Sequence, residues 1–276
     1  MQDISLELKR TQIEILKVID RICRDHDIKY SLFYGSLLGA VRHQGIIPWD
    51  DDLDICMSRE DYNRFTRIWN NVNPQGYILQ NKENSRAFAE AFTKIRKDHT
   101  CFLQKGERAN AYHNGIFVDI FPIDRLPNGK MKRFAFKLNC KLYQLFTREL
   151  VPSKINTIAG AIFSILLLCT PHFCRMGLRE KLLKKITKYN SNTALETVNI
   201  TTKAFLETPF SSTMLNNYTE LDFSNEKFMC YEEWDDCLTR IYGDYMQLPP
   251  EEERVWKHHP IIIDFSHNYD ELENAK

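Results

Sequence analysis

Asp52, Asp54 and Asp119 are the residues of this chain best equipped for chemistry. Asp52 and Asp54 flank Leu53 in the run Pro48-Trp49-Asp50-Asp51-Asp52-Leu53-Asp54-Ile55. Side chains alternate along a strand, so the two acids are expected on one face, about 7 Å apart. Charges of one sign at that spacing repel unless a cation sits between them. Oxygen-only ligands suit Mg²⁺, which binds one or two carboxylates together with substrate phosphates. The expected cofactor is therefore Mg²⁺, with Mn²⁺ as the alternative. Asp119 is a lone acid in the apolar run Gly115-Ile116-Phe117-Val118-Asp119-Ile120-Phe121-Pro122. Burying it there is costly unless it is paired or binds metal, and magnesium sites often add a third acid to such a pair.

A second group of residues suits phosphate. Gly35 removes a side chain where backbone must approach a phosphate closely, and Ser36 offers a hydroxyl beside it. Leu37–His43 is expected as a short helix after this Gly-Ser turn, its free amides and dipole favouring an anion. Arg42, next to His43, either clasps a phosphate through two hydrogen bonds or pairs with a nearby acid. Lys94 and Arg96 share a strand face. They either balance nucleotide phosphates or form an exposed basic face. Asp50 opens the Asp-x-Asp-x-Asp alternation and is a candidate for orienting a ligand. His258, beside His259, is a candidate base or phosphate ligand, or an ordinary surface histidine.

Tyr34-Gly35-Ser36-Leu37-Leu38-Gly39-Ala40-Val41-Arg42-His43, followed by Ile47-Pro48-Trp49-Asp50-Asp51-Asp52-Leu53-Asp54, resembles the LicD family of phosphotransferases. That family includes bacterial phosphocholine transferases and is related to the fukutin-type transferases. Most relatives have Thr at the place of Ser36, a change that keeps the hydroxyl. The resemblance is dense over residues 30–125 and sparser over 242–260. It implies a nucleotidyltransferase-like fold, with Asp52, Asp54 and Asp119 as metal ligands. It supports the Arg42-His43 pair and Lys94 as substrate contacts. The implied donor is a CDP-activated alcohol, most often CDP-choline. The implied acceptor is a hydroxyl on a glycan or glycolipid precursor of lipopolysaccharide or teichoic acid. Asp50 is a further candidate for activating that hydroxyl. Two rivals stand beside this reading: transfer of an NMP from an NTP to a small acceptor, and a non-catalytic glycan- or membrane-binding module.

The elements that must position these residues follow from periodicity. Residues 5–26 read as an amphipathic helix, 28–34 as a first strand, and 58–70 as a helix capped by Ser58. Strands are expected at 77–80, 89–96 and 100–104, the last two paired through Lys97-Asp98-His99. Asp124 reads as a turn residue, and Phe134, Leu138, Leu142, Leu145 and Phe146 as a helical stripe. Residues 228–242 read as a helix and the tail from Asn268 as frayed. The fold class is α/β (α+β), a small mixed sheet flanked by helices with a mostly helical second half. The expected divisions are a catalytic core at 1–128, a helical support region at 129–240, and a site-completing segment and tail at 241–276.

Composition bounds the function. The chain has 276 residues, 43% apolar, with 37 basic and 37 acidic side chains. Zero net charge argues against a nucleic-acid binder. Eight cysteines without a Cys-x-x-Cys pair suggest free thiols in a reducing cytoplasm. The charged N-terminus lacks the apolar core of an export signal. The apolar run 155–170 follows Lys154 and precedes a basic stretch to Lys188. It is either a buried helix followed by a solvated one, or a segment lying on an anionic cytoplasmic membrane face.

Overall fold

The computed structural model describes residues 2–107, 109–147, 158–191, 194–202 and 208–274. In chain order the elements begin α1 (Gln2–Asp25), β1 (Ser31–Leu32), α2 (Tyr34–His43), β2 (Asp54–Ser58), α3 (Arg59–Val72) and β3 (Tyr77–Gln80). Next come β4 (Thr93–Lys97), β5 (Cys101–Gln104), β6 (Phe117–Leu126), α4 (Lys130–Thr147), α5 (Ile158–Cys169) and α6 (His172–Thr187). The chain ends with β7 (Glu196–Asn199), β8 (Phe210–Ser211), β9 (Tyr218–Phe223), β10 (Glu226–Tyr231), α7 (Trp234–Tyr242), β11 (Pro260–Asp264) and α8 (Tyr269–Asn274). Helices packed beside antiparallel pairs make an α+β fold, as the pattern predicts.

The first of two compact units joins residues 1–80, 93–122 and 213–276. Its sheet order is β1-β2-β6-β4-β3, so the strands that begin at Asp54 and carry Asp119 are central neighbours. In α1, Leu8, Ile15, Leu16, Ile19, Ile22 and Cys23 are all buried, a continuous apolar stripe at helical spacing. Each such side chain contributes about 1.5–3 kcal/mol on burial, enough to hold α1 over the sheet. Ser58 caps α3 by accepting from Asp61 N at 3.1 Å, and Tyr62, Phe65 and Trp69 form its buried face. The second unit joins 81–92 and 123–212. There α4, α5 and α6 surround Phe136, Cys140, Tyr143, Phe146, Leu167, Leu182 and Ile186.

Several sequence expectations need correcting. The first strand is only Ser31–Leu32, because Tyr34 already starts a helix. The strand expected from Ala89 begins at Thr93. Strand β5 does not pair with β4; it pairs antiparallel with β11 from the far end of the chain, Phe102 opposite Ile263. Local turn chemistry could not reveal a partner so distant in sequence. Residues 226–231 form a strand, paired with β9, where helical spacing suggested a helix. Asp124 is not in a turn but buried within β6, where it accepts from Asn190 Nδ2 at 2.7 Å. In α4 the expected stripe holds only in part: Leu145 and Phe146 are buried, Phe134 and Leu138 are exposed, and Phe136, Cys140 and Tyr143 face inward. The tail is tied down, with Asn268 Nδ2 donating to Asp98 Oδ1 at 2.9 Å ahead of α8. All eight cysteines are free thiols, six of them buried. Helix α5 is not a buried helix, since Ile162, Ile165, Leu166 and Leu168 are exposed. Lys154 lies outside the described residues.

Gly39 shows how tightly α2 is built into the first unit. A Cβ there would lie 2.4 Å from the carbonyl oxygen of Gly45, in the loop that folds back on the helix. Gly39→Ala should lower stability by about 1–3 kcal/mol, since backbone must shift to admit the methyl. Gly177→Ala, inside α6 with nothing within 4 Å, should instead gain up to about 1 kcal/mol from helix propensity. Thermal melts of the two variants check the contrast.

Candidate active site

The site grows from the reversal between β1 and α2. Tyr34 has φ +43°, a left-handed conformation uncommon for a bulky residue. Its ring is held against Phe33, at 3.9 Å between centroids, and edge-on to Phe121 at 5.4 Å. This reversal starts α2 three residues earlier than the sequence suggests. Gly35 and Ser36 therefore form its first turn and do not precede it as a separate one. The amides of Ser36 and Leu37 donate to Phe33 O at 3.0 and 3.2 Å, so these two are not free for an anion.

Gly35 is required by a carboxylate: a Cβ would stand 2.4 Å from Asp50 Oδ2. Ser36, buried, accepts a 2.8 Å hydrogen bond from Asp54 N, which ties α2 to the first residue of β2. Arg42 has a structural task within the first unit. Its Nη1 donates to the carbonyls of Tyr245 and Gln247, at 2.8 and 3.3 Å, and so fastens the C-terminal loop to α2. His43 stacks edge-on against Trp49, 5.7 Å between centroids, and burial followed by the nearby Arg42 charge lowers its pKa.

The acids converge from separate strands. Asp119 N donates to Leu53 O at 2.8 Å, which sets Asp119 beside the Asp52–Asp54 segment. Lys94 and Asp119 are directly opposed across β4 and β6. Lys94 Nζ reaches both carboxylate oxygens, at 2.6 and 2.9 Å, with both side chains about 6% exposed. The same ammonium sits 3.4 Å from the centroid of the Phe117 ring, a cation–π contact. Arg96, on the same face, is also over Phe117 and fully buried. Its Nε donates to Gln80 Oε1 at 2.6 Å and its Nη1 to Gly115 O at 2.7 Å. The exposed basic face considered for these two cations is therefore absent.

Electrostatics at the acids are dominated by desolvation. Burial, then the charges of Asp52, Asp119 and Asp50, push Asp54 well above the usual carboxylate range. Burial also raises Asp119, although Lys94 opposes it. Asp52 is pushed up to about 7 by burial and by Asp50, with His258 acting against them. Asp50 rises through burial and the charge of Asp51. A cluster of buried carboxylates that suppress each other's ionisation lacks positive charge. That shortage and the all-oxygen donors of Asp52, Asp54 and Asp119 suit a hard divalent cation, although the ligand atoms of these three do not form a group within 4.8 Å of one another.

Sequence reasoning missed Asp51. Alternation singles out Asp50, Asp52 and Asp54, but β2 begins only at Asp54, so residues 50–53 need not alternate. Asp51 is fully buried, and its carboxylate accepts from His258 N and is bonded to His258 Nδ1, both at 3.1 Å. Gln12, a polar residue in the apolar stripe of α1, donates to Asp51 O at 2.8 Å. Its place in that stripe was the available signal. The β5–β11 pair brings His258 to the site, with Lys105 N bonded to His259 O at 3.1 Å. His258 Nδ1 lies 3.9 Å from Asp52. Among the described residues, ligand atoms of Asp51, Asp52 and His258 fall within 4.8 Å of one another. The mutual bond of Asp51 and His258 makes that group an acid–imidazole dyad facing Asp52. Burial pulls the pKa of His258 down, but the Asp51 bond and the charges of Asp52 and Asp51 outweigh it and leave the pKa raised. Tyr242, which ends α7 and is exposed, is a further neighbour of Asp54, Asp50 and Asp52.

The nucleotidyltransferase domain described as LicD/FKTN/FKRP matches residues 27–154. The lipopolysaccharide cholinephosphotransferase LicD of Haemophilus influenzae is 29% identical over 272 residues, covering 92% of this chain and 96% of the relative. An uncharacterized protein of Rickettsia prowazekii is 44% identical over 113 residues, 40% of this chain and 39% of its own length. The matched segment contains Gly35, Ser36, Arg42, His43, Asp50, Asp52, Asp54, Lys94 and Asp119. His258 reaches them from outside the matched segment, through β11.

Two outcomes follow for the metal-free protein. A carboxylate raised in the fold destabilises it as pH climbs from the ordinary value, near 4, to the folded one, about 7 for Asp52. Asp52→Asn should therefore melt higher than the wild type at pH 8, with the gap closing toward pH 4. Asp51→Asn removes the bond that raises His258, so NMR titration should show the His258 pKa falling.

Proposed function

We propose that this LicD-type phosphotransferase moves a phospho-alcohol, phosphocholine in the first instance, from a CDP-activated donor to a hydroxyl of a cell-surface glycan or glycolipid precursor, in the cytoplasm. The observation that carries the reading is the excess of carboxylate at buried Asp54 and Asp119 and half-buried Asp52, in a chain whose full-length relative is named a lipopolysaccharide cholinephosphotransferase. Asp52, Asp54 and Asp119 would hold Mg²⁺, or Mn²⁺ in its place. When bound, the ion supplies charge neutralisation for the pyrophosphate and the departing nucleotide.

The rest is the work of this chain's own residues. The acceptor oxygen bonds to the donor phosphorus that carries the alcohol, the bond from that phosphorus to CMP breaks, and CMP leaves with the electron pair. The hydroxyl proton goes to His258. Asp51 holds Nδ1 of that imidazole, which leaves Nε2 to take the proton, and the bond to Asp51 strengthens it as a base. Lys94 keeps a positive charge among the acids, and Asp50, against the backbone of Gly35, orients the ligand. Gly35 and Ser36 shape the pocket floor; Arg42 and His43 keep the 245–247 loop and Trp49 against α2. Phosphoryl transfer of this kind depends mainly on positioning and charge.

NMP transfer from an NTP is the second reading, favoured by the nucleotidyltransferase description of the matching domain. Products separate the two. The purified chain, given CDP-choline, Mg²⁺ and a glycan acceptor, should release CMP and label the acceptor with phosphocholine. CMP attached to the acceptor from CTP would support the rival. Asp52→Asn should abolish turnover, and His258→Gln should lower kcat by about 10²–10⁴-fold, the usual contribution of a general base.

A further inference from the structure

Helices α4, α5 and α6 carry apolar side chains that the described residues of the second unit leave exposed. We propose that this face docks on the surface of a bilayer containing anionic phospholipid. The inference goes beyond the reaction assigned above and is read without donor or acceptor.

On α5, Ile162, Ile165 and Leu166 are exposed, and Leu168 is 68% exposed. Phe173, at the start of α6, is 81% exposed. On α4, Met131, Phe134 and Leu138 stand at positions i, i+3 and i+7, one face of a helix, and all are exposed. Large apolar side chains left exposed on three helices of one unit point to an interaction site in a stable protein. A groove of about 510 Å³ opens among the helices, lined by Leu142 and Phe146 of α4, Leu166 of α5 and Leu182 of α6. Lys184 and Lys185 stand at the same groove. Such a groove suits a molecule with an apolar tail and an anionic head.

Charge selects the occupant. The whole chain has zero net charge, yet α4 and α5 contain no Asp or Glu. Helix α6 has one acid, Glu180, against Arg175, Lys181, Lys184 and Lys185, while Arg179 is buried. A second copy of the chain would bring two lysine-rich faces together, which repel. An anionic lipid surface complements them and attracts basic residues near it. Length and shape favour lying on the membrane over crossing it. The twelve residues of α5 rise about 18 Å, short of the roughly 30 Å hydrocarbon core. Helices α5 and α6 meet at a bend of 119°. Among the described residues no single helix is long and apolar enough to cross a membrane.

The test uses the full chain and vesicles of phosphatidylcholine with or without about 30 mole per cent phosphatidylglycerol, an anionic lipid. Co-sedimentation should show at least tenfold stronger binding to the anionic vesicles. Leu168→Glu with Phe173→Glu should reduce that binding at least tenfold with the circular dichroism spectrum retained. Lys181, Lys184 and Lys185 changed together to Gln should erase the preference for phosphatidylglycerol. The four tryptophans of the chain all lie outside α4–α6. The difference in emission between Phe173→Trp and the wild type therefore reports on this face, and it should shift to the blue on anionic vesicles and be quenched by brominated acyl chains. Equal binding to both vesicle types, or an emission difference unmoved by lipid, overturns the proposal. So does a wild-type dimer that ignores vesicles and becomes monomeric in the Leu168→Glu/Phe173→Glu variant.

Discussion

Negative charge held away from water, with too little positive charge nearby to balance it, is the constraint around which the first unit is built. Lys94 answers Asp119 through two short hydrogen bonds and rests on the Phe117 ring, so one ammonium is shared between an acid and an aromatic face. Asp52 and Asp54 gain only part of that relief, and burial raises both above their ordinary values. Proteins keep such arrangements where a ligand completes the balance, because the fold alone gains nothing from repelling carboxylates.

The scaffold spends its most rigid parts on holding these acids. Asp54 and Asp119 sit on neighbouring central strands, and Ser36 pins the first of them to α2. The left-handed Tyr34 lets α2 begin immediately beside β1, where an ordinary loop would have displaced it. Gly35 and Gly39 are small for separate reasons: one admits the Asp50 carboxylate, the other the Gly45 carbonyl. The C-terminal segment is locked in by three contacts of different kinds. These are the β5–β11 pairing, the Arg42 bonds to residues 245 and 247, and the Arg254 guanidinium over Trp49. An imidazole from the far end of the chain is thereby held as firmly as one from a local turn.

The second unit follows a different logic. Its core is apolar and helical, but α5 and parts of α4 turn hydrophobic side chains outward beside lysines. A chain that folded only to bury apolar surface would not leave Leu168 and Phe173 in water, since each forfeits about 1.5–3 kcal/mol of burial.

The residue types alone determined the fold class, the need of the lone acid of the 115–122 run for a partner, and the cap and stripe of α3. Each of these is local: a period of two or 3.6, a capping serine, or a charge in an apolar run that must be compensated. Tertiary structure decided what lies far apart in sequence or depends on direction. It paired β5 with β11 rather than β4, turned Arg42 onto carbonyls, drew Lys94 onto Asp119, and gave Asp51 to His258. A hydrogen-bond partner 207 residues away leaves no periodicity to read, and a left-handed tyrosine that starts a helix early can be seen only once its ring has packed.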